Sequence, residues 1–422
     1  MRNANMQNRV QLISRFATAL CVTLAACDTT VTNPGPVQDD FLAAQTAQAA
    51  LVNGAGRAVA SGLNWIGYTG AAVTREIHPA GSTGSFGITG LWQIGDLNSD
   101  LDDVNDHWNN AQRARWISEE TIRRMDEVGA FSNALKQQAY LWAGFANRVL
   151  GENMCEAVID GGAIQPNAQY FLRAEDNFTK AIAVQTGNLA TAAYAGRAAA
   201  RVFLNKWAEA VSDAANVPTT FVYNISYFNL GEDATRNRIF YATGNTPYRA
   251  HTQWNTWIAE YRNTSNDARV PFRVSGRDST GDAAIECCGR VAWWPQTKHN
   301  SSAAPVRLAS GREMRLIEAE ARLRSNDVPG AVAKINEARA NVPVANITAT
   351  TSAEAWTLLK RERGIELWLE ARRLGDLRRW KEGGTPGTLH VLEGVGTAAH
   401  LTKQDLCFPI SRSERDTNAN LR

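Results

Sequence analysis

No stretch of this chain is long and apolar enough to cross a bilayer as a helix. The apolar run Phe16 to Ala26 falls short of the roughly 20 residues required. There is little net charge either: 44 Lys and Arg stand against 42 Asp and Glu. Three of those bases (Arg2, Arg9 and Arg15) lie in an acid-free leader, so the 44 less three gives 41 bases against 42 acids in the remainder. So even a balance supplies no electrostatic footprint for nucleic acid, and excludes nucleic acid as an expected partner. Catalytic signatures are missing as well. No GxSxG elbow, HExxH pair or phosphate-binding loop occurs, and Gly81, Gly84, Gly87 and Gly90 recur without the strand, lysine or spacing that a phosphate cradle needs. The six histidines (78, 107, 251, 299, 390, 400) are scattered singly, with no metal-ligand spacing. Asp96–Asp103 (DLNSDLDD) begins like a calcium loop, but lacks glycine at the sixth position and has His107 at the twelfth, so a polar turn is expected. These absences predict no catalytic residues, metal or cofactor.

What is present begins at the N-terminus. A basic segment and then a short apolar run end in Leu24-Ala25-Ala26-Cys27, which resembles a bacterial lipobox. The expectation is a signal peptide over 1–26, a lipid on the Cys27 thiol, and a polar, Pro-containing tether over 27–39. Of six cysteines, Cys155, Cys287, Cys288 and Cys407 would then remain, in a compartment that permits disulfides. Cys287 and Cys288 are adjacent and not expected to pair with each other, which leaves one of them to bridge to Cys155 or Cys407, or free thiols.

With 44% apolar and 20% charged residues, the body 40–422 can build a sizeable core, and its patterning is mostly α. Helical period begins near Asp40, runs through Arg57, and gives way to a Gly-rich aromatic stretch over 62–95. A long helix is expected over Asn109–Val128, with Trp116, Ile117, Ile122 and Met125 on one face. Repeat-type helices are expected over about 133–215 and 311–382. In the first block FTKAIAV (178–184) and WAEAVSDA (207–214) flank the Ala-rich Thr191–Leu204; in the second, Met314–Asp327 precedes a helix with Pro329 in its first turn. Small residues at that density let helices approach closely, as tetratricopeptide-type pairs do. The region 217–310 loses the helical period and is rich in Asn, Gly and aromatics, including Tyr248, Trp254 and Trp257. Long irregular stretches in compact proteins are where ligand surfaces concentrate.

Several segments in order resemble the SusD/RagB family of nutrient-uptake lipoproteins. They are the lipobox with TNPGPVQDDF (32–41), GENMCEAV (151–158), RERGIELWLEARRLGDLRRW (361–380) and CFPISRSERDTNANL (407–421). Ala371 stands where the family signature usually has glycine, and Ser411 where a second proline is common. Read from its residues alone, the 361–380 signature is structural: Ile365, Trp368, Leu369, Leu374, Leu377 and Trp380 form an apolar face of a helix or helix pair. Glu362, Glu366 and Glu370 at helical spacing from arginines suggest a solvated ion-pair face.

The resemblance implies a SusD-like fold and a lipid-anchored, surface-exposed outer-membrane protein. Such a protein binds a nutrient, most readily a glycan or oligosaccharide, and passes it to a TonB-dependent transporter. Among thirteen tryptophans, Trp116, Trp142, Trp207, Trp356, Trp368 and Trp380 sit in helical patterns and are expected in the core. Trp65, Tyr68, Trp92, Trp293 and Trp294, outside clear helices, together with Asn98, are the candidate ligand-binding residues. A tetratricopeptide scaffold lipoprotein for envelope assembly, with no small ligand, is the alternative from another functional class.

Overall fold

The computed structural model describes residues 42–422 apart from 43, 82–93, 101, 130, 232–234, 245–248, 275–278, 286 and 397–400. The leader, Cys27, the tether, Trp92, Tyr248 and His400 lie outside the described residues. The chain divides after Ala43, and every helix and strand named here belongs to the unit Ala44–Arg422.

Six helices make its first half: α1 Gln48–Val73, α2 Asp102–Val128, α3 Asn133–Asn153, α4 Ala168–Val184, α5 Asn188–Phe203 and α6 Trp207–Ala214. Each packs on the next in sequence. In α5 the buried face is Ala190, Ala192, Ala193, Ala195, Ala198, Ala199 and Gly196. Phe178 of α4 lies flat against Gly196, where any Cβ would overlap its ring. α1 continues through the Gly-rich stretch that periodicity left out. A Cβ on Gly62 would come within 3.2 Å of the α2 backbone at Ala111, so a glycine there permits close approach rather than breaking the helix.

α2 starts at Asp102 rather than Asn109, and its inward face differs from the aromatic one proposed. Ala111, Ala114, Ser118, Thr121 and Met125 point inward, whereas Trp116 is 53% exposed. Two residues at 100° each place Trp116 on the far side of the helix from Ala114. Small inward residues suit the tight α1–α2 contact better than an indole would.

The second helical block is α9 Gly311–Arg324, α10 Val328–Ala338, α11 Ser352–Glu366 and α12 Arg373–Glu382. Asp327 caps α10 by accepting from the Gly330 N–H, with Pro329 in the first turn as expected. Thr351 and Glu354 form a capping box on α11. α9 contacts α5 and α6 as well as α10 and α11, which joins the two blocks.

The intervening region is irregular, although it carries two helices that periodicity missed, α7 Arg238–Thr243 and α8 Trp257–Ser265. Among the described residues the strands form three antiparallel ribbons, two of which draw strands from this region. β1 His78–Pro79 pairs with β5 His251–Thr252, β2 Glu156–Ala157 with β3 Gln165–Pro166, and β4 Val222–Ile225 with β6 Val306–Ser310. A final short helix, α13 Arg412–Thr417, is capped by the buried Ser411 hydroxyl, which explains a serine at that position.

The signature segment forms the α11–α12 pair. Its glutamates are buried, however, and correct the expectation of a solvated face. Glu362 meets Arg269 (2.9 Å) and Arg339, Glu366 meets Arg307 (2.8 Å), and Glu370 meets Lys298 (2.6 Å) and Arg307 (2.9 Å). The partners come from segments 23 to 93 residues away, which helical spacing cannot reveal. Leu369 (φ 58°) and Ala371 (φ 59°) lie in the left-handed region in the turn between the two helices. That conformation favours glycine, which accounts for the residue the family usually carries at Ala371.

Glu76 bolts the end of α1 to that turn. Its carboxylate accepts from the Leu369 N–H (2.9 Å), and its carbonyl from the Trp368 indole (3.3 Å). Burial pushes the carboxyl up to about 7, against the pull of the Leu369 N–H, Arg373 and Lys298. Unfolded, the group titrates near 4.5. Between those values the folded chain holds a proton that the unfolded chain has released, so stability falls as pH rises through this window. Glu76→Gln is expected to flatten that fall and to exceed the parent by about 3 kcal/mol at pH 8. Urea unfolding at several pH values measures it, and parallel curves for the two proteins would contradict the assignment.

Candidate ligand-binding site

The structure separates the proposed site residues into three places. Tyr68 and Trp293 pack in the core on the buried His251, with the half-buried Trp65 beside Tyr68. Tyr68 packs edge-on to His251 (ring centroids 5.1 Å) and on Trp65 (6.4 Å), and the Trp293 indole donates to the His251 carbonyl (3.1 Å). Burial, then the nearby His78 and Arg75, hold the His251 imidazole well below its usual range, so it is neutral. Tyr68 is fully buried and Trp293 is 4% exposed, so neither offers a ring face to solvent in this conformation. The half-buried Trp65 has the Arg238 guanidinium over its ring, 3.1 Å from the centroid. Trp294 is also half-buried and stacks on Phe272 (6.1 Å, 6° between planes). Trp92 lies outside the described residues.

Asn98 is exposed and lines a cleft of about 720 Å³. Its floor is the Cys155–Cys407 disulfide, whose Cα atoms are 5.0 Å apart, and its walls come from 96–99, the end of α12 and 403–409. The Asn98 carboxamide oxygen accepts from the Asp100 N–H (2.9 Å), which fixes the turn and leaves its NH₂ directed by that bond. Lys403 holds Asp96 (2.8 Å) and Asp405 (3.0 Å), while Asp405 also accepts from the Leu97 N–H (2.8 Å). Arg378 donates to the carbonyls of Met154 and Gly151, both at 2.7 Å. Beside these fixed groups the cleft presents the exposed Lys381 and Glu382, while Gln404 donates its NH₂ to the Glu393 carbonyl (2.9 Å). Such a mixture of amide, ammonium and carboxylate suits a ligand rich in hydroxyls. The acidic turn itself is engaged by bases: Lys403 on Asp96, and Arg415 on Ser99 (2.6 Å) and Asp100 (3.4 Å). Among the described residues no group of three or more His, Cys, Asp or Glu could hold a metal ion.

A model of the SusD family matches residues 296–422, which include α11, α12 and the closing segment. Solved structures extend the likeness across the body. A SusD superfamily protein from Bacteroides vulgatus ATCC 8482 superposes with a TM-score of 0.64 at 15% identity, over 89% of this chain and 98% of that one. One from Parabacteroides distasonis ATCC 8503 gives 0.66 at 12%, again over 89% and 98%. Residues 296–422 therefore match the SusD family, and the body has the fold of SusD superfamily structures. A further structure of this fold, described as a SusD-like carbohydrate binding protein from Bacteroides vulgatus ATCC 8482, matches with a TM-score of 0.62 at 13% identity, over 89% and 97%. No curated protein matches the chain.

Two features of this chain escaped the sequence. The pairing of Cys155 with Cys407 was open, and Cys287 and Cys288, not expected to pair with each other, do so at the tip of a hairpin closed by Ile285 and Gly289. Trp116, assigned to the core, instead rims a shallow surface groove with Arg113, Asp160 and Glu414. Its sequence neighbours, Arg115 and Ile117, are one polar and one apolar and give no sign of which face it takes. Among the described residues no helix is long and apolar enough to cross a membrane.

Proposed function

We propose that this chain is an outer-membrane surface lipoprotein, anchored through Cys27, that captures a nutrient and delivers it to a TonB-dependent transporter. A glycan or oligosaccharide is the expected ligand, and no chemical step is involved: the protein captures, holds and releases. The observation that carries the reading is the family match over 296–422, with the SusD-like fold running over 89% of the chain. The carbohydrate-binding description of one structural relative favours a glycan over other nutrients.

Asn98 and Trp294 are the proposed contact residues that remain accessible, and Trp92 stays in the proposal beside them. Trp293 is a poor probe, because its removal would empty a core position at about 3–5 kcal/mol. In titrations of a soluble oligosaccharide panel against the protein, Asn98→Ala and Trp294→Ala are each expected to weaken the best ligand about tenfold, the loss of one hydrogen bond or one stacking face. Affinity unchanged in both variants would remove these residues from the site, and a panel without any binder would count against the glycan.

A further inference from the structure

Between α8 and α11 the surface opens a second cleft, of about 520 Å³, whose lining shares no residue with the Asn98 cleft. Its main groups are Trp257, Glu260, Tyr261, Lys360, Arg361 and His390. The acidic and accepting groups on its walls have partners within the chain, although Glu260 stays largely exposed. Glu393 grips Arg373, and Glu260 lies 3.1 Å from His390 Nε2, whose Nδ1 accepts from the Leu392 N–H. The Thr357 hydroxyl donates to the Ala353 carbonyl and accepts from the Thr388 N–H. The Tyr261 hydroxyl donates to Asp267 (2.7 Å).

The donors are not engaged in the same way. Among the described residues the buried Trp257 indole N–H has no hydrogen-bond partner, nor does the buried Nε of Arg361, whose side chain is otherwise 38% exposed. The Arg361 guanidinium lies over the Tyr261 ring (5.4 Å) and approaches Glu362 only to 3.6 Å, too long for a hydrogen bond. Glu362 is in any case satisfied by Arg269 and Arg339. Lys360 is 5% exposed and donates to the carbonyls of Thr385 and Gly387, both at 3.3 Å, rather than to a carboxylate. Burial pushes its ammonium below the usual lysine range, since Glu320 does not offset the loss of water. A buried donor left unpaired is costly, so two of them beside a buried ammonium favour an acceptor supplied from outside the chain. Leu389 (38% exposed) and Val391 (64%) add apolar surface at the rim. Glu260, the exposed carboxylate of the cleft, faces His390, so the Trp257 N–H, Arg361 and Lys360 are left for an acceptor brought by a ligand with some apolar surface.

We propose that the α8–α11 cleft binds a carboxylate-bearing ligand of about monosaccharide to dipeptide size, with Arg361 and Lys360 facing the carboxylate and Leu389 and Val391 its apolar side. A hexuronic acid and a peptide C-terminus share that chemistry. The proposal stands on the cleft itself and does not depend on the nutrient-delivery reading.

The test is isothermal titration of the full chain in detergent with D-galacturonic acid, N-acetyl-alanine and, as the neutral counterpart, D-galactose. At least one of the two acids should bind, galactose should not compete, and 0.5 M NaCl should weaken binding. A preference for galacturonate assigns the site to acidic sugars, and a preference for N-acetyl-alanine assigns it to peptides. Arg361→Gln is expected to weaken the bound acid at least tenfold, the scale of a lost charged hydrogen bond. Trp257→Phe keeps the ring, removes the N–H and should weaken it about threefold. Should Arg361→Gln fail to fold, the salt dependence and Trp257→Phe decide. Acids that bind no better than galactose, or affinity indifferent to both substitutions and to salt, would overturn the proposal.

Discussion

Replacing Cys155 and Cys407 together by serine is expected to cost about 2–5 kcal/mol of stability, read as a lowered urea midpoint without reductant. The bond joins residues 252 apart, so it closes most of the body into one loop and removes much of the unfolded chain's freedom. The surrounding backbone is built to receive it. Cys155 donates to the Phe408 carbonyl (3.0 Å), and Phe408 to that of Asn153 (2.8 Å). The buried Phe408 ring stacks on His107 (5.1 Å), and Arg378 ties down the neighbouring Met154 and Gly151 carbonyls. These contacts should survive in the serine variant, so the fold is retained while the Asn98 cleft loses its rigid floor. An unchanged midpoint would mean that the bond does not constrain the chain as the loop length requires.

Glu320→Ala is expected to be comparably damaging, at about 3–5 kcal/mol, because it strands a buried cation. Glu320 has no exposed surface and accepts from both terminal nitrogens of Arg379, one at 2.8 Å, and from the Trp380 indole (3.3 Å). Asp376 continues the chain of charge, meeting Arg379 (2.8 Å) and Arg363 (2.8 Å). Burial alone would raise both carboxyls, yet Arg379 beside Glu320, and Arg363 with Arg379 beside Asp376, hold them below the usual carboxylate range. A double variant, Glu320→Met with Arg379→Met, should recover part of the loss, because an apolar pair of similar volume needs no compensating charge. Equal stability of Glu320→Ala and the parent in urea unfolding would show the network to be incidental.

How far the sequence reached depends on whether the information was local. Local patterning pointed to helices within 178–214, 314–338 and 361–380 because such helices bury a stripe of residues three and four apart, as Ala192, Ala195 and Ala199 do in α5. The same reasoning failed at Trp116, because small residues on the opposite face carry the α1–α2 contact. It failed again at Glu362, Glu366 and Glu370, because i,i+4 spacing to arginine looks the same on an exposed helix and in a core whose partners, Arg269 and Arg307, arrive from elsewhere. The candidate site was legible only in part. Asn98 does line a cleft, but the wall opposite it comes from residues 378–382 and 403–409, far downstream in the chain. Tyr68 and Trp293 were singled out as aromatics outside clear helices. Nothing local distinguishes such a ring at the surface from one that closes over a buried histidine.

The central claim, delivery of a captured nutrient to a membrane transporter, is tested most directly by purifying the tagged, full-length protein from solubilised native membranes and identifying what accompanies it. The account predicts a TonB-dependent barrel recovered in near-equal amount. Recovery of barrel-assembly or secretion components in its place would contradict the account and favour an envelope scaffold.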